Sequence, residues 1–163
     1  MNNAPSVHSI FICSGAGLVM EAKEKVRVLA GLGVDGDRYA LQLGAFSKSK
    51  PQKIRDITLI SKMGIDESNN WLNSKGLVNF TISETRRNIV IQNFLPEDLN
   101  ALVGKTFFLG RLKLIGVELC TPCERPSKLA NKKHFLNAFE GKGGIRAQVL
   151  EGAELVVGDL LTI

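Results

Sequence analysis

Nine short apolar or alternating runs, none longer than eight residues, limit most strongly how this chain can fold. They cover residues 7–12, 26–29, 57–60, 88–91, 106–109, 112–119, 146–150, 155–157 and 160–163. Runs of that length, bounded by glycine, proline and small polar residues, read as strands. Helical signals are fewer. Ser61 is placed to cap a helix over residues 61–74, with Gly76 closing it and Ile65, Trp71 and Leu72 forming its apolar side. Pro96, Glu97 and Asp98 open a short helix over 96–102, as proline's preference for the first turn and the helix dipole favour. Shorter helical stretches lie at 126–130 and 134–139. The glycine-rich segment 31–39 reads as a loop. So does 48–55, which carries four positive charges and Pro51 and is expected to be solvated. Dense strands without regular βαβ alternation predict a mainly β fold, a barrel or rolled sheet with peripheral helices. No repeat or linker divides the chain, and 163 residues suit a single domain spanning 1–163.

Composition narrows the functional classes. With 44% hydrophobic and 23% charged residues the chain is not a disordered one. No stretch approaches the roughly 20 apolar residues that span a bilayer, and residues 1–5 lack the basic start of a signal peptide. No membrane association and a cytoplasmic location are therefore expected. Three cysteines cannot all pair within one chain, which suits a reducing compartment. A formal charge of +5 suits an anionic partner. A basic β-barrel that binds nucleic acid is one such reading. It is disfavoured because aromatics, only 6% of residues, do not interleave with Lys and Arg as a base-stacking platform requires.

The sharpest chemical feature is Cys120-Thr121-Pro122-Cys123, at the end of a long strand and just before a helix opened by Glu124-Arg125-Pro126. Between residues 124 and 146 there are six Lys or Arg and two Glu. A helix start and nearby cations favour the thiolate form of a cysteine, which is the nucleophile and the metal ligand. Against this stands the ordinary fate of a cysteine as a small buried hydrophobe. Zinc is not expected, because a structural site needs four ligands and Cys13, His8 and His134 are scattered. Thiol–disulfide exchange fits the Cys-x-Pro-Cys spacing, but a thioredoxin-like site needs a further proline-bearing strand, and no proline follows Pro126.

Several motifs fall in a fixed order: residues 33–39 (Gly-Val-Asp-Gly-Asp-Arg-Tyr), 85–90 (Thr-Arg-Arg-Asn-Ile-Val), 102–105 (Leu-Val-Gly-Lys), 118–123 (Glu-Leu-Cys-Thr-Pro-Cys), 143–147 (Gly-Gly-Ile-Arg-Ala) and 157–159 (Val-Gly-Asp). Together they resemble the MOSC domain, named for the C-terminal domain of molybdenum cofactor sulfurases, over residues 7–163. The resemblance implies a closed, strongly bent β-barrel like that of pyruvate kinase. It also implies binding of the molybdenum cofactor (molybdopterin), or relay of sulfur to it as a cysteine persulfide. The family's essential cysteine matches Cys123, a nucleophile and possible molybdenum ligand, with Cys120 a supporting thiol. The cofactor's phosphate calls for cations and backbone amides. Asp37, Arg38, Arg87, Asn88, Arg125, Gly144 and Arg146 are the candidate cofactor-binding residues, although Asp37 and Arg38 also read as an ion pair that fixes their loop. Where the family carries histidine after that arginine, this chain has Tyr39. Pyridoxal phosphate is not expected, because no lysine has the context of an internal aldimine. A sulfur relay would then draw on a partner such as a cysteine desulfurase and serve a molybdoenzyme or reductase. If this assignment holds, Arg87 and Arg146 line one cavity with Cys123.

The thiols give a first test. Brief alkylation followed by mass mapping should label Cys123 well before Cys13, which ends a strand; labelling of Cys13 first would remove Cys123 as the nucleophile.

Overall fold

Alternation decides which face each strand buries. In β8 (Leu112–Leu119) Leu112, Leu114 and Gly116 point inward, and in β9 (Ile145–Glu151) Ile145, Ala147 and Val149 do. The two strands pair antiparallel, with Leu114 opposite Val149 and Leu119 opposite Ile145. These elements are taken from a computed structural model, which describes residues 3–163; Met1 and Asn2, the start of the expected domain span, lie outside the described residues. The remaining strands are β1 (Ser6–Ile12), β2 (Glu21–Lys23), β3 (Lys25–Leu29), β4 (Gly33–Val34), β5 (Ile57–Ser61), β6 (Ile89–Gln92), β7 (Thr106–Leu109), β10 (Ala153–Val156) and β11 (Leu161–Thr162). Four helices accompany them: α1 (Lys62–Ser74), α2 (Pro96–Asn100), α3 (Arg125–Ala130) and α4 (Phe135–Ala138).

The mainly β expectation holds, but the closed barrel does not. Eight strands form one open sheet in the order β11-β7-β8-β9-β5-β6-β1-β2, and β10-β3-β4 form a second. Bulges in β8 at Lys113/Leu114 and Gly116/Glu118, and in β1 at Val7/Ser9, bend the large sheet. Its two ends approach where Val7 N–H donates to Asp159 O (2.9 Å) and Leu161 N–H to Pro5 O (2.9 Å). A continuous ladder cannot form there. Pro5 has no N–H to give, and the chain turns sharply at Gly158, with φ of +97°. The small sheet packs over the large one instead: Val26, Val28, Val34 and Leu155 share a core with Val7, Ile10, Leu59, Ile89 and Leu114.

One βαβ unit also stands out. β5 and β6 run parallel, with Leu59 opposite Ile89, and α1 lies in the connection between them. Ser61 caps α1 as expected: its Oγ accepts from Gly64 N–H (3.1 Å) and donates to Phe94 O (2.6 Å). Beyond the helix, Gly76 takes φ of +68° and Leu77 N–H returns to Leu72 O (2.9 Å), a glycine-closed helix end. Ile65 and Leu72 are buried, but Trp71 is 38% exposed and lies beneath the Lys75 ammonium (5.9 Å), so it is not part of the apolar side. A second core, on the other face of β5 and β6, packs α1 and α4 through Ile60, Ile65, Val90, Phe80, Phe135 and Phe139. The Phe135 and Phe139 rings stack at 4.2 Å.

Ser61 thus joins α1 to the turn after β6 through one hydroxyl. Ser61→Ala should lower stability in urea unfolding by about 0.5–2 kcal/mol, the usual range for a lost helix cap; no measurable loss would mean that water replaces both bonds.

Candidate functional site

Four neighbouring strands of the large sheet, β8, β9, β5 and β6, deliver residues to one stretch around the level of Thr58. Thr58 on β5 lies opposite Arg146 on β9, and β8 runs out at Leu119 opposite Ile145. Cys120 N–H then donates to Gly144 O (2.8 Å), fixing where the Cys-Thr-Pro-Cys segment begins. Gly144 has φ of +86°, and a Cβ there would run into the Leu59 carbonyl, so glycine is required for this close approach. Cys120 is buried and Cys123 exposed, and both thiols are free, as is the buried Cys13.

A cavity open to solvent lies here. Cys120, Thr121 and Cys123 line one side, and six arginines surround the rest: Arg38, Arg55, Arg86, Arg87, Arg125 and Arg146. Among the described residues no Asp or Glu lines it.

Each guanidinium is held differently. Arg38, only 8% exposed, pairs with the fully buried Asp37 (3.0 Å), whose carboxylate also accepts from Cys13 N–H (3.1 Å) and Tyr39 N–H (3.3 Å). Arg146 donates to Glu118 (2.6 Å), which also pairs with Lys53 (3.4 Å). Burial raises the Glu118 carboxyl, but the bonds and charges of Arg146 and Lys53 outweigh it and hold its pKa below the usual value. Arg87 reaches only backbone, donating to Gly143 O (2.8 Å) and Thr85 O (3.2 Å). Arg86 donates to Leu18 O (2.8 Å) and contacts Cys13 Sγ (3.5 Å). Its pKa is lowered first by burial and then by the Arg38 charge; Cys13 opposes them, and Arg125 adds the smallest lowering. Arg55 lies over Phe46 (5.1 Å) and Tyr39 (5.9 Å). Among the described residues Arg125 makes neither a hydrogen bond nor an ion pair. Four of the six arginines therefore have no carboxylate partner.

The cavity brings together Arg38, Arg87, Arg125, Arg146, Cys120 and Cys123, all singled out from sequence. Three other candidates lie outside it. Asp37 is the buried tether just described. Asn88, 2% exposed, spends its side chain on Thr58 and Phe11 O. Gly144 lines a smaller cleft behind the Cys120–Pro122 segment. Sequence reasoning missed Arg55, read as part of a solvated basic loop, and Arg86. The adjacency of Arg86 and Arg87 just ahead of a strand was the available signal. Among the described residues no three His, Cys, Asp or Glu side chains gather to hold a metal ion, so a metal at this cavity would need ligands from a cofactor.

The model of the MOSC domain family matches residues 52–162. The fold is similar to that of YuaD from Bacillus subtilis, with a TM-score of 0.76 at 17% identity, over 97% of this chain and 94% of that one. It is also similar to YiiM from Geobacillus stearothermophilus (TM-score 0.70, 14% identity, 97% of this chain and 74% of that one). For YiiM from Escherichia coli the TM-score is 0.65 at 11% identity, over 96% and 68%. At such identities the likeness concerns the fold alone. No curated protein matches the sequence.

Arg125 offers a direct test of the cavity's charge. Arg125→Ala removes a cation that forms no bond and repels Arg86, so the ligand-free protein should melt no lower than the parent. Pyrophosphate, titrated calorimetrically, should bind about tenfold more weakly, the effect of losing one charge-assisted contact. Unchanged pyrophosphate affinity would take Arg125 out of the site.

Proposed function

The chain belongs to the MOSC domain family, and we propose that its arginine cavity binds the phosphate end of a molybdenum cofactor while Cys123 provides the thiolate that meets the metal or carries its sulfur. The observation that supports this reading is the coincidence of four guanidiniums lacking carboxylate partners with an exposed cysteine on one cavity. A phosphate monoester answers that excess with two charges and three acceptor oxygens. Arg86 and Arg125 suit it because neither has a carboxylate partner, and an anion beside Arg86 would offset the burial and the Arg38 repulsion that lower its pKa.

The donor set fits the cofactor's metal as well. The pterin brings a dithiolene, so the protein need offer only one soft ligand, and Cys123 is the exposed thiol at the cavity. When bound, the cofactor supplies a redox-active metal; this chain's own residues orient it and hold its charge. Cys120, 3% exposed and fixed by its backbone bond to Gly144, supports the segment rather than meeting a partner.

The same geometry suits a sulfur relay. The Cys123 thiolate attacks the outer sulfur of a donor persulfide, such as that on a cysteine desulfurase. The donor's S–S bond breaks as the new one forms, and the donor leaves as a thiolate, so no external oxidant or reductant is needed. Three free cysteines suit a reducing cytoplasm for such a protein.

Single substitutions test this. After incubation with a desulfurase charged with radiolabelled cysteine, Cys120→Ser should retain label and cofactor, whereas Cys123→Ser should lose both. Comparable loss from the two changes, with insulin reduction by the parent protein, would favour dithiol exchange instead.

A further inference from the structure

β2 ends the strand order of the large sheet, and among the described residues no strand lies beyond it. Its three residues, Glu21, Ala22 and Lys23, are all exposed. Backbone groups alternate in direction along a strand, and β1 shows which of those in β2 point outward. Phe11 N–H donates to Asn88 O (2.7 Å) and Phe11 O accepts from Asn88 Nδ2 (3.1 Å), both on the β6 side. Its neighbours Ile10 and Ile12 therefore face β2, where they lie opposite Lys23 and Glu21. That leaves the N–H and C=O of Ala22, opposite Phe11, directed away from the sheet into solvent.

Charged residues, lysine above all, guard such an edge against pairing with other chains. Here the guard is self-complementary. Glu21 and Lys23 flank Ala22 and share one face of the strand. Let a second copy of β2 lie antiparallel across a twofold axis at Ala22. Each Ala22 N–H then donates to the Ala22 C=O of the other copy, and each Glu21 stands opposite a Lys23. Residues that flank a hydrogen-bonded pair come closest, with Cα atoms about 4.5 Å apart, so opposite charges there attract and like charges repel. Within one copy the two side chains meet at 3.5 Å while 69% and 41% exposed, a contact readily exchanged for the cross-strand ones.

The segment before β2 adds apolar surface. Leu18 and Val19 are 52% and 83% exposed beside the same edge, where a second copy can cover them. This segment is already fixed in the single chain: Leu18 O accepts from Arg86 (2.8 Å) and Met20 Sδ from Arg38 (3.5 Å). The edge is thus preformed, and pairing costs little ordering.

We propose that two copies of the protein associate through antiparallel β2–β2 pairing centred on Ala22, which joins their large sheets edge to edge. Three residues and a short apolar flank make a small interface, so the dimer is weak and reversible. It forms whatever the arginine cavity binds.

Sedimentation velocity from about 10 μM to about 1 mM tests it, a range suited to a weak complex. The average mass should climb from one chain towards two. Lys23→Glu and Glu21→Lys each set like charges opposite one another across the axis, and each should weaken self-association about tenfold or more. Mixed in equal amounts, these two variants should associate with each other as well as the parent does with itself, because opposite charges face again in both pairs. The doubly exchanged Glu21→Lys, Lys23→Glu protein should recover self-association for the same reason. A parent protein that stays a single chain at the highest concentration overturns the inference. So does dimerisation that neither single substitution weakens, or that mixing the two variants fails to restore.

Discussion

Crowding six guanidinium groups around one cavity is the constraint on which this architecture turns. Like charges at short range repel, and burial deprives them of the water that would screen them. The fold answers without putting a carboxylate into the cavity. Asp37 and Glu118 each hold one arginine from behind, backbone carbonyls of Leu18, Gly143 and Thr85 hold Arg86 and Arg87, and aromatic rings hold Arg55. Carbonyls and rings orient a cation without cancelling its charge. The donors are therefore fixed in place while most of the positive field stays directed at the cavity, the arrangement that binds anions with little reorganisation.

Sheet topology makes such crowding possible. Because β6 runs parallel to β5, with Leu59 opposite Ile89, and β9 runs antiparallel to it, with Thr58 opposite Arg146, residues far apart in sequence come to a similar level across four neighbouring strands. Arg55 precedes β5, Arg86 and Arg87 precede β6, Cys120 follows β8 and Arg146 is the second residue of β9. Close backbone approaches hold these ends together, that of Gly144 to Leu59 above all. Asp37 does the same for the strap between β4 and β5, tying it to Cys13 at the end of β1. The strap then carries Tyr39, Phe46 and Arg55 over the edge and divides the space into two cavities.

Much of this was legible in the sequence, and the misses have physical causes. Strict alternation in β8 and β9 follows from one buried face, so pattern alone locates them. Closure of the sheet is another matter, since it depends on which strand edges meet. Pro5 and the Gly158 turn prevent a ladder there without disturbing any strand's pattern. Asn88 and Asp37 act as buried tethers here, and in a sequence tethers and binding groups use the same side chains. The tethering shows only in their partners, Thr58 and Cys13, which lie 30 and 24 residues away. Arg55 was hidden for the converse reason, as a pocket arginine within a run of lysines that do point to solvent. The Cys-Thr-Pro-Cys segment was visible from spacing, but which thiol is exposed is set by the Cys120–Gly144 bond, and local sequence does not encode it.

The central claim is that this cavity holds a phosphorylated molybdenum pterin against Cys123. Its most direct test is metal analysis, joined to oxidation of any bound pterin to its fluorescent derivative, on protein purified from cells that make the cofactor. Molybdenum and pterin should be recovered in equal amounts, and excess pyrophosphate should displace both together. A folded protein with Cys123 reduced that carries neither, and acquires neither when cofactor is supplied, would contradict the account.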